Sequence, residues 1–163
     1  ELPRIVRMRI EPVFAHCDIP CKIYDPVSAQ IAGLTVVRLL SLMANISVDK
    51  KTSLENQHEM SRLVAGKEEH ASIVKSEIAT IWGDYFKKNH LEQHPEIHDI
   101  SHSIMAKAST CKQSMSIEHG LELVELLNDF AEIYWLSKSV KCERCLCPYP
   151  PELAIVRPVL ATA

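Results

Sequence analysis

The apolar residues between positions 60 and 85 constrain the fold more than any other feature of the chain. Met60, Leu63, Val64, Ala71, Val74, Ile78, Ile81 and Tyr85 step by three and four, with one skipped turn at Lys67. That spacing lines one face of an α-helix, here predicted to run for roughly 30 residues. Thr52 with Glu55 three positions on reads as the capping box that opens it. Upstream, Asp25-Pro26 is a strong helix start, with Asp as N-cap and Pro at the first helical position. The run to about Met43 places Val27, Ile31, Leu34 and Val37 beside Val36, Leu39 and Leu40 on a broad apolar face, and the stretch from Asn45 to Lys51 reads as a polar link. Pro95 and Glu96 open a third helix, with Ile97, Ile100, Ile104, Ala108 and Cys111 along one side. Ser116 caps a fourth, through Leu121, Val124, Leu127, Ala131 and Tyr134 to about Lys138. Four amphipathic helices with short links predict an all-α fold, an antiparallel up-down four-helix bundle. With only 4 glycines, an all-β fold is excluded as the leading reading.

The 163 residues suffice for one domain with a sizeable core. A formal charge of −3 leaves no basic footprint for nucleic acid, so none is expected as a partner. No apolar run reaches the ~18 residues of a membrane span, and no membrane association is expected. The six cysteines fall in two clusters, which fits metal or redox roles in a reducing compartment better than a disulfide scaffold.

The first cluster carries the chemistry. In His16-Cys17-Asp18-Ile19-Pro20-Cys21 two thiols lie four residues apart with an imidazole beside the first. Pro20 forces a turn by fixing its own φ and pushing its predecessor out of the helical region, so both sulfurs can swing onto one ion. Such a sulfur and nitrogen donor set favours nickel, copper or zinc over magnesium or calcium. Spacing alone leaves a Cys17–Cys21 disulfide, or two ordinary thiols, equally open.

Residues 1–15 read as a leader. They carry Arg4, Arg7 and Arg9 and end Val13-Phe14-Ala15, a small residue where a peptidase can cut before His16. The uninterrupted apolar core of a secretory signal is missing, so export is not expected. A disordered arm is the plainer alternative.

The hook is followed by Tyr24-Asp25-Pro26. Further on come Lys67-Glu68-Glu69-His70-Ala71, Trp82-Gly83-Asp84-Tyr85-Phe86-Lys87, His94-Pro95-Glu96-Ile97-His98 and Ser116-Ile117-Glu118-His119. In this order and spacing, from about His16 to Lys138, the chain resembles the nickel superoxide dismutases, in a cyanobacterial-like precursor form. The resemblance implies a four-helix bundle assembled as a homohexamer. It implies an enzyme that disproportionates superoxide to O2 and H2O2 by cycling nickel between Ni(II) and Ni(III). It assigns the metal to the α-amine and, axially, the imidazole of His16, the backbone amide nitrogen of Cys17, and the thiolates of Cys17 and Cys21. That amine exists only once the chain is cut after Ala15, so the uncut form is expected to be an inactive precursor and a maturation protease a partner. Tyr24 is expected near the open face of the metal, ordering water and limiting access. Asp18 and the amides of the hook orient the sulfurs, and His70 hydrogen-bonds around the His16 ring. Each has a plainer alternative: Tyr24 as a half-buried aromatic at a helix entrance, His70 as polar packing.

Around these lie weaker signals. Lys22, Lys87 and Lys88 would raise the encounter rate of an anion, or simply be solvated. Trp82, Tyr85 and Phe86 read as core and interface. His90, His94, His98 and His102 suggest a second metal site, against the plainer reading of exposed histidines on a polar face. Two positions depart from the family pattern. Lys22 stands where glycine is usual, and Ala32 where some members carry an acid; Glu68 or Glu69 are candidate substitutes for the latter.

Residues 16–140 are therefore read as the nickel-hook and bundle domain, and residues 141–163 as a flexible Cys/Pro-rich tail. In that tail Cys142, Cys145 and Cys147 could hold zinc or form a transient disulfide. The expected location is cytoplasmic, or plastid in an alga. Two other classes remain open: a helical nickel- or zinc-binding protein without turnover, and a helical interaction module whose hook is a disulfide.

Overall fold

The computed structural model describes residues 22–49 and 53–160. The predicted leader of residues 1–15, the candidate hook residues His16, Cys17, Asp18 and Cys21, and Thr52 lie outside them.

Helix α1 (Val27–Asp49) begins as the sequence predicts, with Asp25 Oδ1 accepting from the Val27 N–H at 2.8 Å. It does not give way to a polar link at Asn45. No Gly or Pro interrupts the stretch after Met43, and the helix runs on to Asp49. Its buried face is carried by Ala29, Ala32, Leu34, Val36, Val37, Leu40 and Met43, whereas Ile31 is exposed. Val27–Ile46, with a mean hydropathy of 1.6, is long and apolar enough to span a membrane by length and composition alone. Half of that stretch is nonetheless buried inside the protein, the pattern of a core helix.

Helix α2 (Leu54–Thr80) is capped by Ser53, not by Thr52: Ser53 Oγ accepts from the Asn56 N–H at 3.1 Å. Lys67, at the skipped turn of the apolar stripe, is only 2% exposed. Its ammonium donates to the carbonyls of Lys112 and Ser114 at 2.8 and 2.9 Å. Those carbonyls belong to the end of α4, where helical partners run out. A charge in the stripe is tolerable because it has this work, although burial lowers the Lys67 pKa.

The helix passes into a π-helical turn, Ile81–Tyr85, closed by the Phe86 N–H on the Ile81 carbonyl at 3.4 Å. A short α3 (Lys88–Gln93) leads to α4 (Ile97–Gln113) and α5 (Ile117–Ser137). At the start of α5 the Ser116 hydroxyl donates to the Glu118 carboxylate and leaves the backbone uncapped by a side chain. Helix α1 packs on α2 and α5, and α4 packs on the same two, which closes the ring of the predicted bundle. Gly33 lets α1 and α5 approach closely, since a β-carbon there would lie 2.6 Å from Leu127 Cδ1.

The last segment corrects the expectation of a flexible tail. Strands β1 (Cys142–Leu146) and β2 (Ala154–Pro158) form an antiparallel hairpin with Cys145 opposite Ile155. Cys147, Ile155 and Val156 are buried. Asn128 on α5 donates to the Ala154 carbonyl and accepts from the Val156 N–H, both at 3.0 Å. Gln30 on α1 donates to the Val156 carbonyl at 3.0 Å. The outer edge of β2 is thus satisfied by two helix side chains. The local sequence gives no sign of this, because both partners are remote.

Candidate metal centre and its cleft

Tyr24, half-buried, precedes α1 and faces the far end of α2. The π turn adds a residue to the helix there and carries Tyr85 to the end of the bundle, the kind of irregularity that often marks a functional site. The Tyr85 ring lies 6.0 Å from that of Tyr24 and 4.8 Å from that of Tyr134 on α5. His90 stacks on Tyr85 at 5.0 Å with 13° between planes. Ser137 donates its hydroxyl hydrogen to the Tyr134 carbonyl at 2.7 Å. The Tyr85 hydroxyl, 2.8 Å from Ser137 Oγ, must therefore be the donor in that contact. The Tyr134 hydroxyl in turn donates to the backbone carbonyl of Tyr24. Burial pushes the Tyr134 phenol well above its usual value.

These groups shape a cleft of about 380 Å³ lined by Lys22, Tyr24, Asp84, Tyr85, Lys87 and Lys138. The Lys138 ammonium lies 4.7 Å from the Tyr85 ring centroid and 5.1 Å from that of Tyr134, a cation–π arrangement. Lys87 Nζ reaches the Gly83 carbonyl at 3.4 Å. A larger groove of about 500 Å³ beside α5, lined by Leu121, Val124, Leu126 and Leu153 with charged neighbours, has neither thiol nor imidazole.

The other predicted residues fall as follows. His70 is on α2, fifteen positions before Tyr85, or about 22 Å along the axis at 1.5 Å per residue. Its Nδ1 donates to the Gly66 carbonyl at 2.8 Å. The structure therefore does not bring His70 into the Tyr24 cleft of its own chain. Ala32 is packed in the core, where an acid would be buried. Lys22 has φ 59°, so this residue does adopt the left-handed conformation for which glycine is suited. His98 Nδ1 accepts from Trp82 Nε1 at 3.0 Å, and His94 faces Glu96 at 3.6 Å. Among the described residues no group of three or more His, Cys, Asp or Glu is placed to hold a metal, so the proposed histidine site does not form there. The donor set suited to a thiophilic ion is the one in the hook. Sequence reasoning read Tyr85 as core, placed Tyr134 on the apolar face of the fourth helix and Lys138 at its end, and gave neither of those two a part in the site. The spacing of Tyr134 and Lys138, one turn apart at the end of α5, was the available signal.

A four-helix bundle with a lysine-rimmed aromatic cleft directly following a His-Cys-x3-Cys segment defines a helical metalloprotein class. Comparison with known proteins narrows it. The sequence model of nickel-containing superoxide dismutase matches residues 11–138. The nickel superoxide dismutase of Streptomyces coelicolor is 30% identical over 127 residues, 78% of this chain and 91% of the relative. That of Streptomyces seoulensis gives the same identity and coverage. The native nickel superoxide dismutase structure superposes with TM-score 0.66 at 29% identity, covering 76% of this chain and 99% of that one. A structure with nickel ligation of the oxidised state gives TM-score 0.67 at 30% identity, with the same coverage. The chain belongs to the nickel-containing superoxide dismutase family, an oxidoreductase family whose cofactor is nickel. The hairpin of residues 142–158 lies beyond the matched region.

Proposed function

We propose that the chain, once cut before His16, disproportionates two superoxide ions and two protons to O2 and H2O2, with nickel held by His16, Cys17 and Cys21. The observation that carries this reading is positional. Cys21 is bonded to Lys22, the residue with which the cleft begins, so the donor set adjoins a concave, cationic and aromatic site. Two thiolates, an imidazole and a terminal amine suit nickel chemically. Bound there, the metal supplies the one-electron couple that the anionic sulfur donors bring into range.

The remaining work falls to the chain's own residues. Lys87 draws an anion toward the mouth. Tyr24 narrows the approach, and its phenol can order water as a proton source. Tyr85, its hydrogen committed to Ser137, presents only lone pairs to other donors. Asp18 is assigned to orienting the sulfurs. His70, which lies outside this cleft, is assigned to the His16 ring of a neighbouring copy in a homohexamer. The leader of residues 1–15 keeps the α-amine of His16 masked until a protease removes it, and the chain is assigned to the cytoplasm or a plastid.

The test compares nickel-loaded protein beginning at His16 with the uncut chain, Cys17→Ser and Cys21→Ser, by superoxide consumption and nickel content. Activity is expected only in the trimmed wild type. Equal activity of the uncut chain, or of either serine variant, overturns the assignment.

A further inference from the structure

Lys22 is a lysine in a backbone conformation that disfavours it. Its φ of 59° lies in the left-handed region, where a β-carbon crowds the following carbonyl and glycine does not. Strained residues of this kind cluster where the side chain has a use. Lys22 lines the cleft with Lys87 and Lys138, three lysines against the single carboxylate of Asp84. Among the described residues none of the three takes part in an ion pair. Asp25, the nearest other acid in sequence, is engaged as the cap of α1 through the Val27 N–H. Counted over its own lining, the cleft therefore carries a net positive charge over an aromatic floor, the combination that concentrates small anions.

We propose that Lys22 is a specificity-determining residue: with Lys87 and Lys138 it forms a three-cation collar that captures small monovalent anions at the cleft mouth. Its charge offsets the conformational cost of having a side chain there. The captured anion in turnover is superoxide, which rests on the function proposed above. Chloride and other inert monovalent anions share the same collar and compete for it.

Charge and conformation make opposite predictions, so two substitutions separate them. Lys22→Gly removes both the charge and the strain, whereas Lys22→Gln removes only the charge. In trimmed, nickel-loaded protein both are expected to lower kcat/KM about two- to threefold at an ionic strength of ~0.01 M, where the Debye length is about 30 Å. The difference from wild type should vanish toward 1 M, where that length is about 3 Å. Lys75→Gln, the same charge change on α2 away from the cleft, should keep the wild-type salt slope. Lys22→Gly alone should raise Tm, by roughly 2–4 °C. On the nickel-free protein, broadening of the chloride-35 resonance should be weaker in Lys22→Gln than in wild type. A wild-type salt slope in Lys22→Gln, or unchanged chloride broadening, overturns the collar. If trimmed wild type consumes no superoxide, the proposed function fails instead, and the chloride measurement still decides whether the collar binds anions.

Discussion

The hydroxyl of Tyr134, near the end of α5, donates a hydrogen bond to the backbone carbonyl of Tyr24, 110 residues earlier in the chain. Tyr24 lies three positions after Cys21, so this bond ties the exit of the proposed metal-binding segment to the end of the bundle. Tyr134 is fully buried, and Tyr85 and Trp135 pack against its ring at 4.8 and 4.9 Å. Tyr134→Phe keeps the ring and removes the donor. The expected loss is about 1 kcal/mol in urea unfolding, the net contribution of one part-buried hydrogen bond. Nickel affinity of the trimmed protein should fall with it, because the hook loses an anchor. Wild-type stability and nickel retention in this variant would show that the bond does not position the segment.

Lys67 makes a second prediction, with two effects in competition. Replacing it by Met removes a desolvated ammonium from an apolar stripe, which favours the variant. It also strips the Lys112 and Ser114 carbonyls of the group that satisfies them. Two lost charge-assisted bonds outweigh the relief, because each is worth about 1.5–3 kcal/mol. The net expectation is a loss of about 2 kcal/mol in chemical denaturation, with α4 fraying first at its C-terminal end in hydrogen exchange. A variant more stable than wild type would reverse the argument.

The pH dependence follows from Cys111, which is fully buried on α4. Burial pushes its thiol from an ordinary 9.0 to about 11. The folded chain therefore keeps a proton that the unfolded chain gives up. The stabilisation is complete below pH 9 and is lost as pH rises toward 11, by about 1.4 kcal/mol per unit. Tyr134, also raised, acts in the same direction at higher pH, while the lowered pKa of Lys67 acts in the opposite one. Cys111→Ala isolates the thiol. Its stability should fall less steeply than wild type between pH 9 and 11, on top of a constant packing loss. Parallel pH profiles would exclude this linkage.

What could be read from the sequence depended on the range of the interaction. The helices were legible because their apolar periodicity is local, and the family could be read from ordered motifs such as His16-Cys17-Asp18-Ile19-Pro20-Cys21. The exceptions involve distant partners. Lys67 looked like a gap in the α2 stripe because the carbonyls that justify it are 45 and 47 residues away. Tyr85 looked like ordinary core because its part in the cleft needs the π turn, which no local pattern announces. Ser53 displaced Thr52 as cap by a single position, a distinction that propensity does not make. The departure at Lys22 was visible, but only the backbone angle shows that the position is strained.

The hairpin was the largest misreading, and it yields the last prediction. Cysteine and proline content suggested a loose extension, yet β2 is held by one side chain from α5 and one from α1. Asn128 is fully buried and supplies both an acceptor to the Val156 N–H and a donor to the Ala154 carbonyl. Asn128→Ala leaves both backbone groups without a partner, which costs about 1–3 kcal/mol for each buried group. The Arg144 contacts to Glu125, Asp129 and Glu132 cannot compensate, because these side chains are 40–59% exposed and such pairs are worth about 0–1 kcal/mol. The hairpin should therefore open before the bundle does. Limited proteolysis of Asn128→Ala should cut within residues 141–160 while the helical circular dichroism persists, and Arg144→Ala should resist cleavage nearly as well as wild type. If Arg144→Ala opens the hairpin and Asn128→Ala does not, surface ion pairs rather than the buried amide hold this segment.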